Sequence, residues 1–419
     1  MPIIRMNKGE MLNFYGPIKI EVLNGLIEIV GRKLGKGEQV IIHRLRNYVV
    51  YAIEESELSI TMDINAQIKR VDEKEPYPVY SETVKKIIDT KPDTIAILGG
   101  IDCGKSTLTV MLSNIAIENK LKPAVIDGDV GQADIGPPGF VSMAYPEEYS
   151  MWMREYKPVA MKFIGDIKPQ GRIGNIIKAI KELVSKARED GRKPIIIDTD
   201  GWINDEQAIL YKRVLIEELQ PSAVIVLGTE YHGLFKDYEK IGTKVYELPS
   251  PSDRRIRTRD ERRLLRSAKY REFLENANTI KLKLDNVIIT GLPVLQGVKQ
   301  ALPANIPLEV AEKVLWISRF KDTLYIVAKH GFRNEYIELL KNTYGVTRIK
   351  VFFEGFEKRY YGAVSNGVDE YPAILEEISW NNGEVVLRTI YGKEIKIVRL
   401  ANYKLNEEFL EQYITNTHK

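Results

Sequence analysis

The sequence predicts an α/β protein whose central domain holds a doubly wound, mostly parallel sheet and is flanked by two β-rich domains. Between about residues 90 and 285, short apolar runs alternate with helical patterns, as crossover helices in a parallel sheet require. Before and after this stretch, β-rich runs separated by turn residues dominate. A chain of 419 residues is also long enough for two or three domains.

The three predicted domains cover residues 1–75, 76–285 and 286–419. A charged stretch broken by prolines, residues 71–78, separates the first two. The strands expected in the central domain are 94–98, 123–127, 160–164, 194–198 and 222–228. Those expected in the outer domains are 18–22, 26–30, 39–43, 48–53, 286–290, 323–328, 348–353, 384–388 and 394–398.

The composition limits the classes of function. With 61 basic and 58 acidic residues, the net charge is only +3, so any nucleic-acid binding must come from a local patch. No run of about 18 apolar residues occurs, so we expect no membrane partner. The single cysteine, Cys103, excludes internal disulfides, and the first residues lack a signal-peptide core. These features together predict a cytoplasmic protein.

The most informative motif is Gly-Gly-Ile-Asp-Cys-Gly-Lys-Ser at residues 99–106, a complete G-x-x-x-x-G-K-[ST] phosphate-binding loop between an apolar run and a helical pattern. Its amide groups and the positive end of the helix dipole would hold phosphates. Lys105 should reach the β- and γ-phosphates, and Ser106 should ligate Mg²⁺. The chain is therefore expected to bind a nucleoside triphosphate through Gly99, Gly100, Ile101, Asp102, Cys103, Gly104, Lys105, Ser106 and Thr107.

A second motif follows the next apolar run, which ends in Asp127-Gly-Asp-Val-Gly-Gln132. In P-loop proteins such carboxylates can hold Mg²⁺ or accept a proton from the attacking hydroxyl. Asp127 and Asp129 point the same way if the strand continues, and they diverge if a turn begins at Gly128. The alternative is an Asp-Gly pair that only forms a turn or caps a helix.

A third run ends in Asp198-Thr-Asp-Gly201, which matches the D-x-x-G of GTP-binding switches. Guanine recognition normally also needs [NT]-K-x-D after a later strand, and residues 224–230 lack it. Residues 90–93 do match that pattern, but they lie too close before the phosphate loop to reach a base. A GTPase is therefore disfavoured.

Arginines are concentrated between residues 253 and 272. Arg255, Arg259, Arg262 and Arg266 form one stripe at helical spacing. One interpretation is a solvated helix with salt bridges. The other is a lid over the nucleotide, in which guanidinium groups offset the charge that develops during phosphoryl transfer.

In this order, the motifs resemble the polynucleotide 5′-hydroxyl kinase family, which includes the RNA kinase of pre-mRNA cleavage and tRNA splicing and the ribosomal-RNA-processing kinase. Residues 127–132 with Pro137-Pro-Gly139 are similar to its D-x-D-x-G-Q and P-P-G, Thr199–Trp202 to its T-x-G-W, and Arg255–Arg259 to its lid. A member of archaeal type is expected. The resemblance implies a β-rich, kinase, β-rich architecture and transfer of phosphate from ATP, with Mg²⁺, to RNA 5′ ends, with single-stranded DNA as a further candidate acceptor.

The resemblance also implies roles for individual residues. Lys105 and Ser106 would bind phosphate and Mg²⁺, Asp129 would be the general base and a further metal ligand, and Asp127 would support the metal. Arg255 and Arg259 would be catalytic lid arginines, and Glu21 would touch the adenine. Contacts to the acceptor strand would come from Gln132, Lys168, Trp202 and Arg262, with Trp202 stacked on the terminal base. Gly165-Asp-Ile-Lys-Pro169 stands in the place of the family's G-x-[ST]-x-P-like stretch, which touches the RNA backbone. Lys168 there could still meet a phosphate, whereas Asp166 would repel one.

Two other functions are compatible with a nucleotide-binding loop. One is a non-catalytic scaffold that holds ATP within an RNA-processing complex, but the intact lysine, aspartates and lid arginines favour an enzyme. The other is a kinase of a small nucleoside, which the two β-rich flanking domains disfavour. The sequence identifies no protein partner.

Overall fold

The computed structural model describes residues 2–44, 46–71, 75–251 and 256–414. The chain divides into two compact units. The first consists of Met1–Gly136, Val141–Ala160 and Pro169–Thr258, and the second of Pro137–Phe140, Met161–Lys168 and Arg259–Lys419. The N-terminal β region thus shares a unit with the central sheet, and the second unit takes in the arginine-rich helix that precedes residue 286.

The N-terminal region forms two antiparallel sheets, with strand orders β1-β8-β3-β6 and β5-β4-β7-β2-β9. Alternation of buried and less buried side chains, as along β7, follows from one face of each strand packing on the core. The four strands predicted here correspond to β3, β4, β6 and β7. The bounds are β1 (Ile3–Met6), β2 (Met11–Tyr15), β3 (Ile18–Asn24), β4 (Ile27–Ile29), β5 (Arg32–Leu34), β6 (Gln39–Ile42), β7 (Asn47–Ala52), β8 (Ser56–Met62) and β9 (Gln67–Arg70).

The central sheet has the strand order β13-β12-β11-β14-β10-β15-β16. Its bounds, with the helices between, are α1 (Tyr77–Asp89), β10 (Thr94–Gly99), α2 (Lys105–Glu118), β11 (Ala124–Asp127), β12 (Phe140–Ala144), β13 (Pro158–Phe163), α3 (Ile173–Glu189), β14 (Ile195–Asp198), α4 (Glu206–Leu219), β15 (Ala223–Leu227) and β16 (Lys244–Leu248). The pairs among β11, β14, β10, β15 and β16 are parallel, whereas β12 is antiparallel to β11. The doubly wound, mostly parallel sheet is confirmed, and β12 and β16 are additions to it.

Helix α2 joins the N-terminal sheets to the central sheet through one apolar core. The Nδ2 group of its buried Asn114 donates to the carbonyl oxygens of Val30 and Ser150, each at 2.8 Å. The Ser150 amide returns a hydrogen bond to Asn114 Oδ1 at 3.0 Å. The helix that follows the phosphate loop is thereby fixed from both sides.

The main stretch of the second unit, Arg259–Lys419, begins with a helix and continues mainly as strands. One sheet has the order β17-β25-β24-β23-β26-β18 with β27 beside β26, and a smaller one has the order β19-β20-β21-β22. The bounds are α5 (Arg259–Leu274), β17 (Asn278–Lys283), β18 (Ile288–Thr290), β19 (Val298–Lys299), α6 (Leu308–Ala311), β20 (Val314–Phe320), β21 (Thr323–Ala328), α7 (Asn334–Tyr344), β22 (Arg348–Phe353), β23 (Tyr360–Ser365), β24 (Glu370–Ser379), β25 (Glu384–Thr389), β26 (Ile397–Leu405) and β27 (Glu411–Tyr413).

The predicted β-rich character of the C-terminal region is confirmed, and the five strands expected there correspond to β18, β21, β22, β25 and β26. Across the described ranges, no helix combines the length and apolar character needed to span a bilayer.

Candidate active site

The loop between β10 and α2 has a backbone shape that glycine permits. Gly99 and Gly104 have φ angles of 154° and 101°. A Cβ atom at Gly99 would lie 2.7 Å from Cys103 Sγ and 2.8 Å from the Leu227 carbonyl oxygen. A larger residue at position 99 would therefore collide with the loop and with β15. The chain turns tightly here and enters α2 at Lys105.

Lys105 lies across the loop with only 6% of its surface exposed. Its Nζ donates to the Gly100 carbonyl oxygen at 2.7 Å. Burial alone would lower the pKa of the Lys105 ammonium, but the nearby Cys103, Asp198 and Asp129 raise it above the ordinary value. A charged amine held by one carbonyl can exchange that partner for phosphate oxygens.

Ser106 is hydrogen-bonded to the end of the neighbouring strand. Its Oγ donates to Asp198 Oδ2 at 2.7 Å, and parallel pairing of β10 with β14 places Ile97 beside Asp198. Asp198 is 2% exposed, and its Oδ1 is a buried atom with no hydrogen-bond partner among the described residues. Burial raises the pKa of Asp198 to about 7, although Lys105 and the serine hydroxyl oppose the rise. A serine hydroxyl beside a carboxylate with a spare oxygen fits Mg²⁺.

Asp127, at the end of β11, holds the loop that follows it. Its Oδ2 accepts from the amides of Asp134 at 2.7 Å and Ile135 at 3.0 Å, and its Oδ1 accepts from the Asp129 amide at 3.2 Å. Burial, followed by the nearby Asp198 carboxylate, holds the pKa of Asp127 well above its ordinary value. The carboxylate beside Ser106 is thus that of Asp198, whereas both oxygens of Asp127 bind the loop backbone.

Asp129 lies just beyond the end of β11, so the turn at Gly128 separates it from Asp127. Its Oδ1 accepts from the amides of Gly131 and Gln132, each at 2.9 Å. Within the described ranges, Asp129 Oδ2 has no hydrogen bond. Burial first, and then repulsion by Asp200, raise the pKa of Asp129 despite those amides and Lys105. A half-buried carboxylate with a raised pKa and one open oxygen suits a proton acceptor.

The turn after β14 lies against the phosphate loop. A Cβ atom at Gly201 would lie 2.7 Å from Ile101 Cγ1 and 2.9 Å from its Cα, so position 201 requires glycine. The next residue, Trp202, is half-buried, and its Nε1 donates to Asp205 Oδ2 at 2.6 Å. Its ring centroid lies 6.1 Å from that of Tyr211. This indole is therefore held beside the loop by one hydrogen bond and one ring contact.

A buried ion pair between Lys212 and Asp200 stabilises the turn after β14. Lys212 is 0% exposed, and its Nζ contacts Asp200 Oδ2 at 2.9 Å and the Asp200 carbonyl oxygen at 3.0 Å. The Tyr211 hydroxyl donates to the same Oδ2 at 2.9 Å, while the Trp202 amide donates to Oδ1 at 3.0 Å. Sequence reasoning missed Lys212 because its position inside α4 carries no motif.

A group of arginines that the sequence did not assign also lies in the first unit. The Arg257 amide donates to Asp102 Oδ2 in the phosphate loop at 3.0 Å, and its Nη1 lies 3.6 Å from Oδ1. Asp134 pairs with Arg154 at 2.8 Å and with Arg46 at 3.8 Å. Burial would raise the pKa of Asp134, but the nearby Arg46, Arg154 and Arg257 hold that pKa below its ordinary value.

Trp152 completes this group. The Arg46 guanidinium carbon lies 3.9 Å from the centroid of the Trp152 ring. Arg46 Nη2 and Trp152 Nε1 are both buried without a hydrogen-bond partner among the described residues. Arg46 lies in the turn between two N-terminal strands and Trp152 outside any motif, so neither residue gave a signal in the sequence.

Known proteins share both the sequence and the fold of this chain. Residues 99–276 match the family model of the mRNA cleavage and polyadenylation factor CLP1 P-loop. A polyribonucleotide 5′-hydroxyl-kinase of Methanocaldococcus jannaschii is 31% identical over 319 residues, which are 74% of this chain and 85% of that protein. The chain belongs to the CLP1 P-loop family. A kinase of the same printed name from Thermococcus kodakarensis is 34% identical over 324 residues, 76% of this chain and 90% of that protein.

Eukaryotic CLP1 proteins are more distant. A CLP1 homolog of Brugia malayi is 24% identical over 296 residues, which are 64% of this chain and 66% of that protein. The solved structure of wild-type Clp1p in complex with a Pcf11p fragment superposes with a TM-score of 0.61 at 15% identity, covering 96% of this chain and 97% of Clp1p. That likeness establishes the fold of this CLP1-family chain along nearly its whole length.

The arginines expected to form the lid are only partly described in this CLP1-family chain. Arg255 falls outside the described residues. Arg259 and Arg262 lie on α5 of the second unit, where Arg266, from the same stripe, pairs with Glu411 at 2.7 Å. The lid role of these arginines stays a prediction.

Three further assignments also stay predictions. Lys168 is exposed in the second unit, and its amide donates to Asp166 Oδ1 at 3.2 Å. Asp166 itself is buried and accepts from Asn402 Nδ2 at 3.0 Å, so its carboxylate has partners inside that unit. Glu21 is half-buried on β3, and Gln132 donates to the Gly131 carbonyl oxygen at 3.1 Å.

Proposed function

We propose that this chain is a polynucleotide 5′-hydroxyl kinase that transfers the γ-phosphoryl group of ATP to the 5′-hydroxyl of RNA, with single-stranded DNA as a second acceptor. The observation that carries the proposal is the convergence of Lys105, the hydrogen-bonded pair of Ser106 and Asp198, and the half-buried Asp129 around one phosphate loop. The archaeal relatives named polyribonucleotide 5′-hydroxyl-kinase support the choice of acceptor.

Ser106 Oγ and Asp198 are the groups that would hold Mg²⁺. The described residues contain no cluster of three or more His, Cys, Asp or Glu side chains able to hold a metal ion, so phosphate oxygens and water would complete the coordination. Bound there, the ion supplies positive charge to the phosphate oxygens during transfer. Binding at Asp198 would satisfy its orphaned Oδ1.

The chain's own residues then position the reactants. Lys105 exchanges the Gly100 carbonyl for oxygens of the β- and γ-phosphates. Asp129 Oδ2 takes the proton of the RNA 5′-hydroxyl while the oxygen of that hydroxyl forms a bond to the γ-phosphorus. The bond from that phosphorus to the bridging oxygen breaks, and ADP leaves with the electron pair. Positioning and charge stabilisation account for most of the catalysis in this class of reaction.

Trp202 is the candidate contact for the first base of the acceptor. Stacking of a base on an aromatic ring tolerates any sequence and contributes roughly 1–3 kcal/mol. The hydrogen bond to Asp205 and the ring contact with Tyr211 hold the indole in a fixed position. Fixing the ring in advance lowers the entropy lost when a base binds.

The test is transfer of label from γ-labelled ATP to a 5′-hydroxyl oligoribonucleotide, with the matching DNA and a mononucleoside as competing acceptors. We expect label on RNA and its loss in Lys105→Ala and Asp129→Asn variants. Lys178→Ala, at an exposed pair with Glu182, is the control and should transfer label as the wild type does. Tightly bound ATP that is neither hydrolysed nor transferred would instead identify a scaffold. Preferred labelling of the mononucleoside would identify a nucleoside kinase.

A further inference from the structure

We propose that one face of the small sheet β19-β20-β21-β22 binds single-stranded RNA through the body of the strand. We call this surface the basic–aromatic face, and its members are Lys299, Trp316, Phe320, Tyr325, Arg348 and Lys350. This inference rests on the proposed function, because the surface would hold an RNA whose 5′ end the kinase site phosphorylates.

Strand register places these residues on one face. Lys299 pairs with Ser318, Ser318 with Tyr325, and Tyr325 with Lys350, so one row crosses all four strands. The next row links Phe320 to Thr323 and Thr323 to Arg348. Because directly paired residues project from the same side of a sheet, the cations and rings of both rows share one surface.

The opposite face is apolar and already covered. Leu324, Ile326 and Ala328 alternate with the basic–aromatic positions of β21 and pack with Tyr336 and Leu340 of α7. Helix α7 therefore closes that side of the sheet. On the basic–aromatic side, the row of Trp316 continues into Val327 and Phe352, which are buried in the apolar core of the larger sheet. A ligand can therefore lie only on the part of this face beyond that row.

Part of the basic–aromatic face also packs inside the unit. The Val294 carbonyl oxygen accepts from Trp316 Nε1 at 3.0 Å and from Ser318 Oγ at 2.6 Å, which covers the middle of β20. Trp316 and Tyr325 also pack against the apolar core of the larger sheet and are half-buried, whereas Phe320 is 52% exposed and Lys299, Arg348 and Lys350 are exposed. The open area thus contains the Phe320 ring and the exposed part of Tyr325 among three cations.

The charge on this sheet selects a polyanion. Its four strands contain no acidic residue, and three of their four cationic residues, Lys299, Arg348 and Lys350, lie on the basic–aromatic face. The fourth, Arg319, pairs with Leu324 on the opposite face. The whole chain, by contrast, is nearly balanced, with 61 basic and 58 acidic residues. The positive charge on the sheet is therefore a local feature, as nucleic-acid binding by this chain requires.

The aromatic residues select single strands. Lys350 Nζ lies 5.9 Å from the Tyr325 ring centroid, and Lys299 Nζ lies 4.5 Å from that of Trp316. Flexible lysines can move from the rings to phosphates while unpaired bases stack on the rings. A duplex would keep its bases stacked inside and could not use those rings.

The experiment measures binding of the full chain to 3′-labelled, 5′-phosphorylated RNA of 4 and 16 nucleotides, by fluorescence anisotropy over a range of salt. The 5′-phosphate removes the acceptor hydroxyl, so binding is read without turnover. We expect Arg348→Ala/Lys350→Ala to weaken binding of the 16-mer about tenfold and to reduce the salt slope by about 1.4, since each phosphate contact contributes about 0.7 for single strands. Phe320→Ala, which leaves the packed Tyr325 in place, should weaken binding with little change in slope.

The matched control is Arg333→Ala/Lys341→Ala, which removes two cations at α7, on the covered side of the sheet. This variant should bind as the wild type does. Equal binding by wild type and Arg348→Ala/Lys350→Ala would overturn the proposal, as would equal weakening by the control. Competition by poly-glutamate as strong as that by RNA would assign the face to an acidic protein segment and overturn it too.

Failure of the kinase proposal is distinguishable from failure of this one. Label transfer to a 4-nucleotide acceptor with a free 5′-hydroxyl should be the same in the wild type and in Arg348→Ala/Lys350→Ala. If no label is transferred while the 16-mer still depends on these cations, the kinase assignment fails and the RNA-binding face stands.

Discussion

Strands β11 and β14 lie side by side in the central sheet, and each ends in an Asp-x-Asp sequence, with Asp127 paired in register with Asp198. The four carboxylates nevertheless have different partners. On β11 the first aspartate binds backbone amides and the second keeps an open oxygen. On β14 the first aspartate keeps the open oxygen, whereas the second, Asp200, is locked to Lys212.

The difference teaches that hydrogen-bond partners, rather than position in the motif, decide what a strand-end carboxylate can do. A buried oxygen left without a partner is costly, so its persistence indicates a ligand. Asp198, beside Ser106, contributes such a buried oxygen, and Asp129, near Lys105, contributes an oxygen without a hydrogen bond on a half-buried side chain. The other two aspartates fix the backbone that positions them.

The largest effect should come from the two aspartates with open oxygens. Asp129→Asn removes the proposed proton acceptor and should lower kcat about 10²–10⁴-fold. Asp198→Asn should lower kcat about 10²–10³-fold, since it removes one charged ligand of the phosphate-bound cation. Initial rates at saturating ATP, over a range of Mg²⁺ concentrations, measure both. A rate within twofold of wild type for either variant contradicts its assignment.

Breaking the buried ion pair between Asp200 and Lys212 should have the next largest effect, in this case on the free energy of unfolding. Lys212→Met leaves the Asp200 carboxylate buried without its cation and should lower the free energy of unfolding by about 3–5 kcal/mol. Urea denaturation checks this value. Lys178→Met, at the exposed pair with Glu182, is the matched control and should change stability by less than about 1 kcal/mol. A similar small effect at Lys212 would show that the pair does not hold the turn.

The raised pKa values predict how stability depends on pH. The pKa of Asp198 is about 7 when folded, whereas an unfolded aspartate has about 3.9. Between these values the folded chain binds a proton that the unfolded chain has released. The free energy of unfolding of the ligand-free protein should therefore fall, by up to about 1.4 kcal/mol per pH unit, as pH rises from about 4 to 7.

Asp198→Asn tests the contribution of this one carboxylate. The variant should be more stable than the wild type at pH 8 without Mg²⁺, and the difference should vanish near pH 4. Thermal or urea unfolding at both pH values measures it. Parallel stability curves for the two proteins would place the pH dependence elsewhere, for example at Asp127 or Asp129, whose pKa values shift in the same direction.

The smallest effect on rate should come from Asp127. Asp127→Asn keeps one carbonyl oxygen for the amides of Asp134 and Ile135, so kcat should stay within about tenfold of wild type, or 1.4 kcal/mol. Asp127→Ala removes every acceptor for those buried amides and should lower stability by about 1–3 kcal/mol. A loss of activity in Asp127→Asn as large as in Asp198→Asn would return the metal role to Asp127.

The phosphate loop and the central parallel strands could be predicted from sequence because their signals are local. A glycine-lysine motif and an apolar run lie within a few residues of the structure they specify. The pairing of Ser106 with Asp198 could not be derived in this way, because 92 residues separate them and only the strand order brings them together. Asp198 does belong to a D-x-x-G pattern, but that pattern alone indicates a GTP-binding switch and does not indicate a partner for Ser106.

Elements without periodicity were the hardest to predict. Strand β12 is buried at all five positions and follows the Pro-Pro-Gly stretch, so it has no alternation to reveal it. The contacts of Arg46 with Asp134 and Trp152 join three segments far apart in the chain. No single window of sequence contains such a group, whereas the resemblance to a known family supplied the overall architecture.

Helix α2 has a practical consequence for anyone who wants a shorter version of this protein. Ten of its 14 residues are buried, on every side, and Asn114 ties it to Val30 in the N-terminal sheets. A fragment trimmed to the family-matched segment 99–276 would expose to water the apolar face of this helix that packs on the N-terminal sheets. Such a fragment should aggregate, and a minimal soluble clone has to start at the first strand.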